Sequence, residues 1–454
     1  MNKNDIIRLS ITDMTVDGSG VGKCSDGTVV FVPDTAVGDV IDAKILKVKK
    51  TLCYGKIENI IEPSKDRVEP KCKVSTRCGG CVYRHISYDA ELKIKQKKVY
   101  DAVTRIGKID GQKVKSIIGA DDNRIDRYRN KAQIPVGLDK NGEVEMGFYS
   151  RHSHRIANCD DCLLSPEIFT RISQTFKEFI QKYPNLIYNE EKHLGKIRHL
   201  YLRIGESTNE VMVCVVVNGK SFDHQDELFN SIIEKYSEVK SIIINVNKAK
   251  TNVILGTENI VVYSKESIKD VLCGLEFELS PLAFYQVNRE QAQKLYQKAK
   301  EYAALSGDEV LVDLYCGTGT IGLTMAKDCK ELIGVEIVNK AIENAKINAK
   351  NNGVKNARFI CADAEKAAID LKKEGITPDV IIVDPPRKGL TKKLVDTIVE
   401  MAPKRVVYVS CDSATLSRDL KQFEENKYSV KEITPVDLFP RTSHVEAVCL
   451  LSRK

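Results

Sequence analysis

No run in this sequence approaches ~18 consecutive apolar residues, so a membrane-spanning helix is not expected. The opening residues, MNKNDIIRLS, lack the apolar stretch of a secretory signal, and a cytoplasmic location is expected. Tryptophan is absent, which excludes nothing. No sign of charge dominates: the net +7 permits an acidic partner such as nucleic acid without demanding one. With 42% apolar and 29% charged residues the class is ordinary globular protein, and 454 residues suffice for two or three domains. Cysteine is plentiful, with 14 residues. In a reducing compartment clustered cysteines point to metal or catalysis rather than disulfides. Most stand singly in apolar runs, as Cys214, Cys273 and Cys449 do, and read as small buried hydrophobes.

Three regions follow from the patterning. Residues 1–61 show short β runs (IIRLSI, TVVFVP, VIDAKILKV, YGKIENII) between Gly-rich turns, the pattern of a small barrel. Its basic run Lys47-Val-Lys-Lys50 suits either a solvated turn or an RNA contact. Residues 62–275 begin with a Pro-bracketed linker, Pro63 to Pro70, and continue as an α+β region. Its helix over 88–107 is placed to pack on the C-terminal domain. Residues 276–454 alternate strictly, with strands at 310–316, 332–337, 357–364, 380–386 and 405–411 separated by helices such as 339–352 and 390–402. That is a doubly wound, Rossmann-like parallel sheet. The last two apolar runs, SVKEITPVDLF and VEAVCLLS, are joined through RTSH and should pair antiparallel, because a parallel pair needs a longer crossover.

DLYCGTGTIG closes the first of these strands. Gly317 and Gly319 permit a tight turn and close backbone approach to a ligand. The second strand ends at Glu336, where an acid can bind ribose hydroxyls, and the third at Asp363, where an adenine amine could be met. The acidic series at Glu336 and Asp363 fits S-adenosylmethionine better than a dinucleotide. Asp384-Pro-Pro-Arg387 ends the fourth strand; its prolines stiffen an acid and a base at the carboxyl end of the sheet. This suggests a methyltransferase acting on a planar nitrogen-containing ring. Cys411 ends the fifth strand and would share a crevice with Asp384. Its reactivity requires thiolate character, which a following helix start would favour. Glu446 can reach that crevice as a general base, with His444 as the rival; Arg441 suits a phosphate or solvent. Ahead of the sheet, Phe284 and Tyr285 suit either base stacking or the core, and Gln286 and Asn288 are polar groups in an apolar stretch.

Cys72, Cys78 and Cys81 are brought close by a Gly-Gly turn, with Cys162 or Cys159 as a fourth thiol. This favours zinc or iron–sulfur, and spacing does not choose between them. Arg129 and Lys131, in Tyr128-Arg-Asn-Lys131, and the run Arg151-His-Ser-His-Arg155 suit RNA phosphates or solvated strand ends.

Taken in order, FYQVN, DLYCGTGTIG, VDPPRKGL, SCDSATLSRD and FPRTSHVE resemble the uracil-C5 RNA methyltransferases. The N-terminal barrel resembles that family's TRAM (OB-like) RNA-binding domain. The resemblance covers nearly the whole chain. It implies Cys411 as the nucleophile that adds to uracil C6, and Glu446 as the base that removes the C5 proton. It implies donor contacts at Gln286, Tyr315, Glu336 and Asp384. It also implies a [4Fe-4S] cluster on Cys72, Cys78, Cys81 and Cys162, with Cys159 the open alternative. By analogy the barrel favours 23S ribosomal RNA as substrate; transfer RNA is the alternative. Cytosine-C5 methylation and a non-catalytic iron–sulfur RNA-binding protein are the rivals outside that reading. No obligate protein partner is implied. One departure stands out: the family's Asn-Pro after the nucleophile is Asp412-Ser413 here, a carboxylate that could raise the thiol's pKa.

Overall fold

The computed structural model describes residues 1–151 and 153–454, so His152 of the basic run 151–155 lies outside the described residues. Strands Ile6–Met14, Gly20–Lys23, Val29–Val32, Val40–Val48 and Leu52–Glu62 close into a barrel in the order first, second, third, fifth, fourth. Alternation drives this: in Val40–Val48, Ile41, Ala43 and Ile45 point inward while their neighbours stay partly exposed. The basic run Lys47–Lys50 begins at the end of the fourth strand and continues into the turn before the fifth, and Lys49 lies 5.3 Å from the Tyr54 ring centre. Arg67 of the linker donates to both oxygens of Asp39 at 2.8 Å and fastens the linker to the barrel.

The middle of the chain forms a seven-stranded sheet in the order Glu258–Ser264, Val239–Val246, Glu210–Val217, Ile197–Gly205, Lys131–Leu138, Val144–Tyr149, Ile156–Asn158. Here the structure corrects an expectation. Cys72, Cys78, Cys81, Cys159 and Cys162 all line one cavity of about 210 Å³. Yet among the described residues no three Cys, His, Asp or Glu side chains form a group able to hold a metal ion. The iron–sulfur site expected at Cys72, Cys78, Cys81 and Cys162, with or without Cys159, is therefore not a feature of this fold. Sequence proximity brings the thiols around one void without converging them. Burial raises Cys78 and pushes Cys81 up to about 11 and Cys159 up to about 12. All of these cysteines are free.

Helix Tyr88–Arg105 starts at Ser87, whose hydroxyl accepts from the Ala90 amide. It buries Val99 and Val103 in the core of the C-terminal sheet and packs on helix Ser413–Glu425. That sheet runs Ala357–Cys361, Glu331–Glu336, Val310–Leu314, Val380–Val383, Arg405–Ser410, Glu446–Arg453, Tyr428–Val436. The first five strands are parallel, and Glu446–Arg453 is antiparallel to both neighbours. Val380–Val383 is wholly buried and apolar, as a strand covered on both faces should be. The strand order reverses between Val310–Leu314 and Val380–Val383, and the crevice at that switch is where doubly wound sheets bind ligands. The final pairing is the expected antiparallel one, but the first of its strands stops at Val436. The connection is thus 437–445, longer than RTSH, because the backbone of 437–439 bonds outside the sheet.

Candidate active site

The switch-point crevice is built from unusual backbone. Tyr315 has φ +83°, Gly317 +54° and Gly319 +84°. A left-handed tyrosine costs about 1–3 kcal/mol and marks a site held by its surroundings; here the amides of Tyr315 and Cys316 both donate to Val335 O at 2.9 Å. A Cβ at Gly319 would meet Leu323 Cδ1 at 2.9 Å, so that glycine serves packing. A Cβ at Gly317 would meet nothing within 4 Å, so that glycine faces open space over the crevice.

Carboxylates ring this floor. Glu336, at the end of its strand, accepts from the Val338 amide at 2.8 Å. Asp363 is exposed and caps helix Ala364–Lys373, accepting from Glu365 and Lys366 amides. Asp313, which sequence reasoning passed over, lies beneath them. One of its oxygens accepts from the Gly322 amide at 2.9 Å and the other is buried without a partner. Burial, with Asp384 and Glu336 nearby, pushes Asp313 up to about 7. Its only sequence signal was an acid inside an otherwise apolar strand. Gln286 is half-buried, its carbonyl accepting from Asn130 at 2.8 Å, and Asn288 caps helix Arg289–Ala303.

The groups expected to react lie one strand further on. Val383 pairs with Tyr408, and Ser410 pairs with Ala447. Extending the second register by one residue sets Cys411 opposite Glu446, the first residue of its strand. Directly opposed residues have Cβ atoms about 4.5–5.5 Å apart. Asp384, Cys411 and Glu446 therefore share the carboxyl edge of the parallel strands. Their mutual influence is electrostatic. Burial, then Glu446 and Asp384, push the Cys411 thiol up to about 11, against Arg387. Glu446 is 5% exposed; burial and Asp384 push it up to about 8, against Arg387. Burial alone pushes Asp384 up to about 7.

The neighbours resolve three open readings. Asp412 Oδ1 accepts from Ala414 and Thr415 amides at 3.0 and 2.9 Å, capping helix Ser413–Glu425. Its carboxylate is committed to the helix and is not among the groups that raise Cys411. The helix start after Cys411 does not leave the thiol ionised either. Burial and the cations Arg387, Lys98, Lys95 and Arg129 hold His444 down at about 4, and Arg387 Nη2 lies 3.2 Å from its Nδ1. A neutral imidazole so hard to protonate is a poor base beside Glu446. Arg441 is half-buried: its amide donates to Glu91 at 2.7 Å and its guanidinium to Ile86 O at 3.1 Å.

Of the aromatic pair, Phe284 is 63% exposed while Tyr285 is 2% exposed and donates to Asp270 at 3.1 Å. Phe284 is thus free to stack, and Tyr285 belongs to the core. Arg129 and Lys131 line the cysteine-walled cavity rather than an open face, and burial pushes Lys131 down to about 8.

The crevice fits S-adenosylmethionine. An unobstructed glycine turn, an acid at the end of the neighbouring strand and a buried, half-unpartnered aspartate suit ribose hydroxyls and a cationic ligand. Comparison with known proteins agrees. Residues 87–454 match the family described as tRNA (uracil-5-)-methyltransferase, and residues 2–57 match the TRAM domain. An uncharacterized RNA methyltransferase of Clostridium tetani is 44% identical over 452 residues, covering 100% of this chain and 97% of that protein. One from Halalkalibacterium halodurans is 45% identical over 454 residues, covering 100% and 98%. The crystal structure of Pyrococcus abyssi tRNA (uracil-54, C5)-methyltransferase with S-adenosyl-L-homocysteine has a TM-score of 0.78 at 29% identity, covering 98% of this chain and 99% of that one.

Proposed function

This chain belongs to the tRNA (uracil-5-)-methyltransferase family and is an RNA methyltransferase that uses S-adenosylmethionine; from that premise we propose that it methylates C5 of uridine through a covalent bond between Cys411 and C6. The opposition of Cys411 and Glu446 carries the reading. Tyr315, Gly317, Gly319, Glu336, Asp363, Asp384 and Gln286 hold the methyl donor, with Asp313 beneath them. Bound there, the donor supplies an electrophilic methyl group.

Uracil C5 is a weak nucleophile. Cys411 Sγ adds to C6, its proton leaving to water in the half-open crevice, and the ring becomes an enolate nucleophilic at C5. Once C5 carries the methyl, its hydrogen is still in place. Glu446 takes that proton; the C–H electrons rebuild the C5–C6 double bond as the C6–S bond breaks, and the sulfur leaves as thiolate. A base raised to about 8 has the proton affinity for this step near neutral pH. A base within a helix must be extruded to reach the crevice, and exposed Phe284 offers it a stacking face.

The preferred substrate is 23S ribosomal RNA, a reading that rests on family analogy for the N-terminal barrel. Transfer RNA is the second reading. It is favoured by the Pyrococcus abyssi enzyme, whose match spans 98% of this chain and whose target is uracil-54 of tRNA. Incubation with labelled donor and separated ribosomal and transfer RNA, followed by mapping of the modified nucleotide, tests both. Label on C5 of ribosomal uridine is the expected result. Label confined to transfer RNA selects the second reading, and label on cytosine, or none, overturns both.

A further inference from the structure

The connection 437–445 that delivers Glu446 is gripped from outside the sheet. Its carbonyls are taken in succession by distant parts of the chain. Gln291 donates to Asp437 O at 2.8 Å, Asn288 to Leu438 O at 3.1 Å and Lys95 to Phe439 O at 3.1 Å. The Tyr128 hydroxyl donates to Pro440 O at 2.9 Å, the Val82 amide to Arg441 O at 2.8 Å and Lys98 to Ser443 O at 2.9 Å.

Lys95 is the centre of this grip. Its side chain is unexposed, and its three N–H groups reach Glu91 Oε1 at 2.7 Å, Asp437 Oδ1 at 2.7 Å and Phe439 O. Both carboxylates are unexposed as well. Each is tied in again, Glu91 to the Arg441 amide at 2.7 Å and Asp437 to the Tyr88 hydroxyl at 2.7 Å. Removing the ammonium leaves two buried carboxylates without their shared counter-charge, which strongly disfavours the observed placement of the connection.

We propose that Lys95 is a positioning residue for proton removal: it fixes 437–443 and so holds Glu446 against Cys411. This rests on the roles given above to Cys411 and Glu446. The specificity for one half of the reaction follows from connectivity. Glu446 pairs with Val436 across the mouth of the gripped connection, so any shift of 437–443 is passed to its carboxylate. Cys411 is held by its own strand and by the Asp412 cap, neither of which bonds to Lys95. Loosening the grip therefore displaces the base and leaves the nucleophile in place.

The test is Lys95→Met in the full chain, with RNA carrying 5-tritiated uridine and a separately labelled donor. Single-turnover methyl incorporation, tritium release and the protein–RNA adduct on a denaturing gel are read together. Methyl incorporation should stay within about 3-fold of the parent while tritium release slows about 100-fold, as expected for a reacting group displaced by roughly 1 Å. Adduct should accumulate and the dissociation constant for RNA should hold. Equal slowing of both steps, or slowing of neither, overturns the proposal. Lys98→Met removes one loop bond but leaves the buried ion pairs, so it decides the question if Lys95→Met does not fold. It should show the same split at about 10-fold. If the parent protein itself releases no tritium, the uridine reading has failed and this inference falls with it. A parent that turns over normally beside an unsplit variant removes Lys95 alone.

Discussion

Cys411, one residue past its strand, lies beside Glu446, the first residue of the adjoining antiparallel strand, just beyond the Ser410–Ala447 pair. Two groups that can both become anions are thus enclosed together, and Glu446 is the largest influence on Cys411 after burial, favouring the neutral thiol. The pair is suited to carry one negative charge at a time. Covalent catalysis asks for that order. Once the sulfur is bound to C6 it holds no charge, and the obstacle it poses to an ionised Glu446 disappears.

Cys411→Ser should abolish turnover, by about 1000-fold or more, because a hydroxyl at that position has no comparable nucleophilicity and no base committed to it. RNA affinity should stay within about 2-fold, since the substitution is nearly isosteric. Single-turnover methylation beside filter binding measures both. Undiminished methylation would take the nucleophile's role away from Cys411.

Glu446→Gln should trap the methylated adduct, visible as a protein–RNA band that survives denaturation. It should also change stability with a definite sign. The folded protein holds Glu446 at about 8, above its ordinary 4.5, so the protonated form is the one the fold favours. Its contribution is fully present below about pH 4.5 and is lost as pH rises through 8. Glutamine does not titrate. The melting temperature of the variant should therefore gain on the parent from about pH 5 to about pH 9, by roughly 3 °C or more at the upper end. A difference that stays flat across that range would mean that Glu446 is not buried as an acid.

The rate should follow the same group in the opposite direction. With Glu446 at about 8, the fraction of working base grows as pH rises, so the single-turnover rate of tritium release from the methylated adduct should climb from about pH 6 and level off near pH 9. His444, held down at about 4, contributes no inflection in that window. A plateau already reached at pH 6 would point to another base.

Phe284→Ala should weaken RNA binding by about 1–3 kcal/mol, the usual worth of a base–aromatic stack, without loss of thermal stability. Tyr285→Ala, one residue on, should do the reverse. That ring is buried and its hydroxyl is bonded to Asp270, so its loss lowers stability. Titration of a short RNA with each variant, beside thermal melting, separates the two positions.

Local patterns made much of this legible. Alternation in Val40–Val48 announced a barrel strand, and strand-end motifs placed Asp384 and Cys411 on neighbouring strands, because such features depend on a few consecutive residues. Long-range features were opaque. Asp313 reads as one more strand residue, and only the folded chain shows its unpartnered oxygen beneath the glycine turn. The grip on 437–443 joins Lys95, Tyr128 and Asn288 to one segment from points spread along the chain, with no motif linking them. The cysteines misled for a related reason. Spacing reports that thiols are near one another, and it does not report whether they converge or line a wall.

Asp412 is the position at which sequence and structure give opposite forecasts. As a carboxylate beside the nucleophile it should raise the thiol and slow attack. In the fold it spends Oδ1 on the Ala414 and Thr415 amides and is not among the leading influences on Cys411. Asp412→Asn keeps an acceptor at the cap and removes the charge, so turnover should change by less than about 2-fold and stability by a few tenths of a kcal/mol. Asp412→Ala removes the cap itself, costing about 1 kcal/mol and loosening the helix that anchors Cys411. Thermal melting and single-turnover rates on both variants distinguish the roles. A marked acceleration in Asp412→Asn would show that the charge does reach the thiol, and that the cap is not its main use.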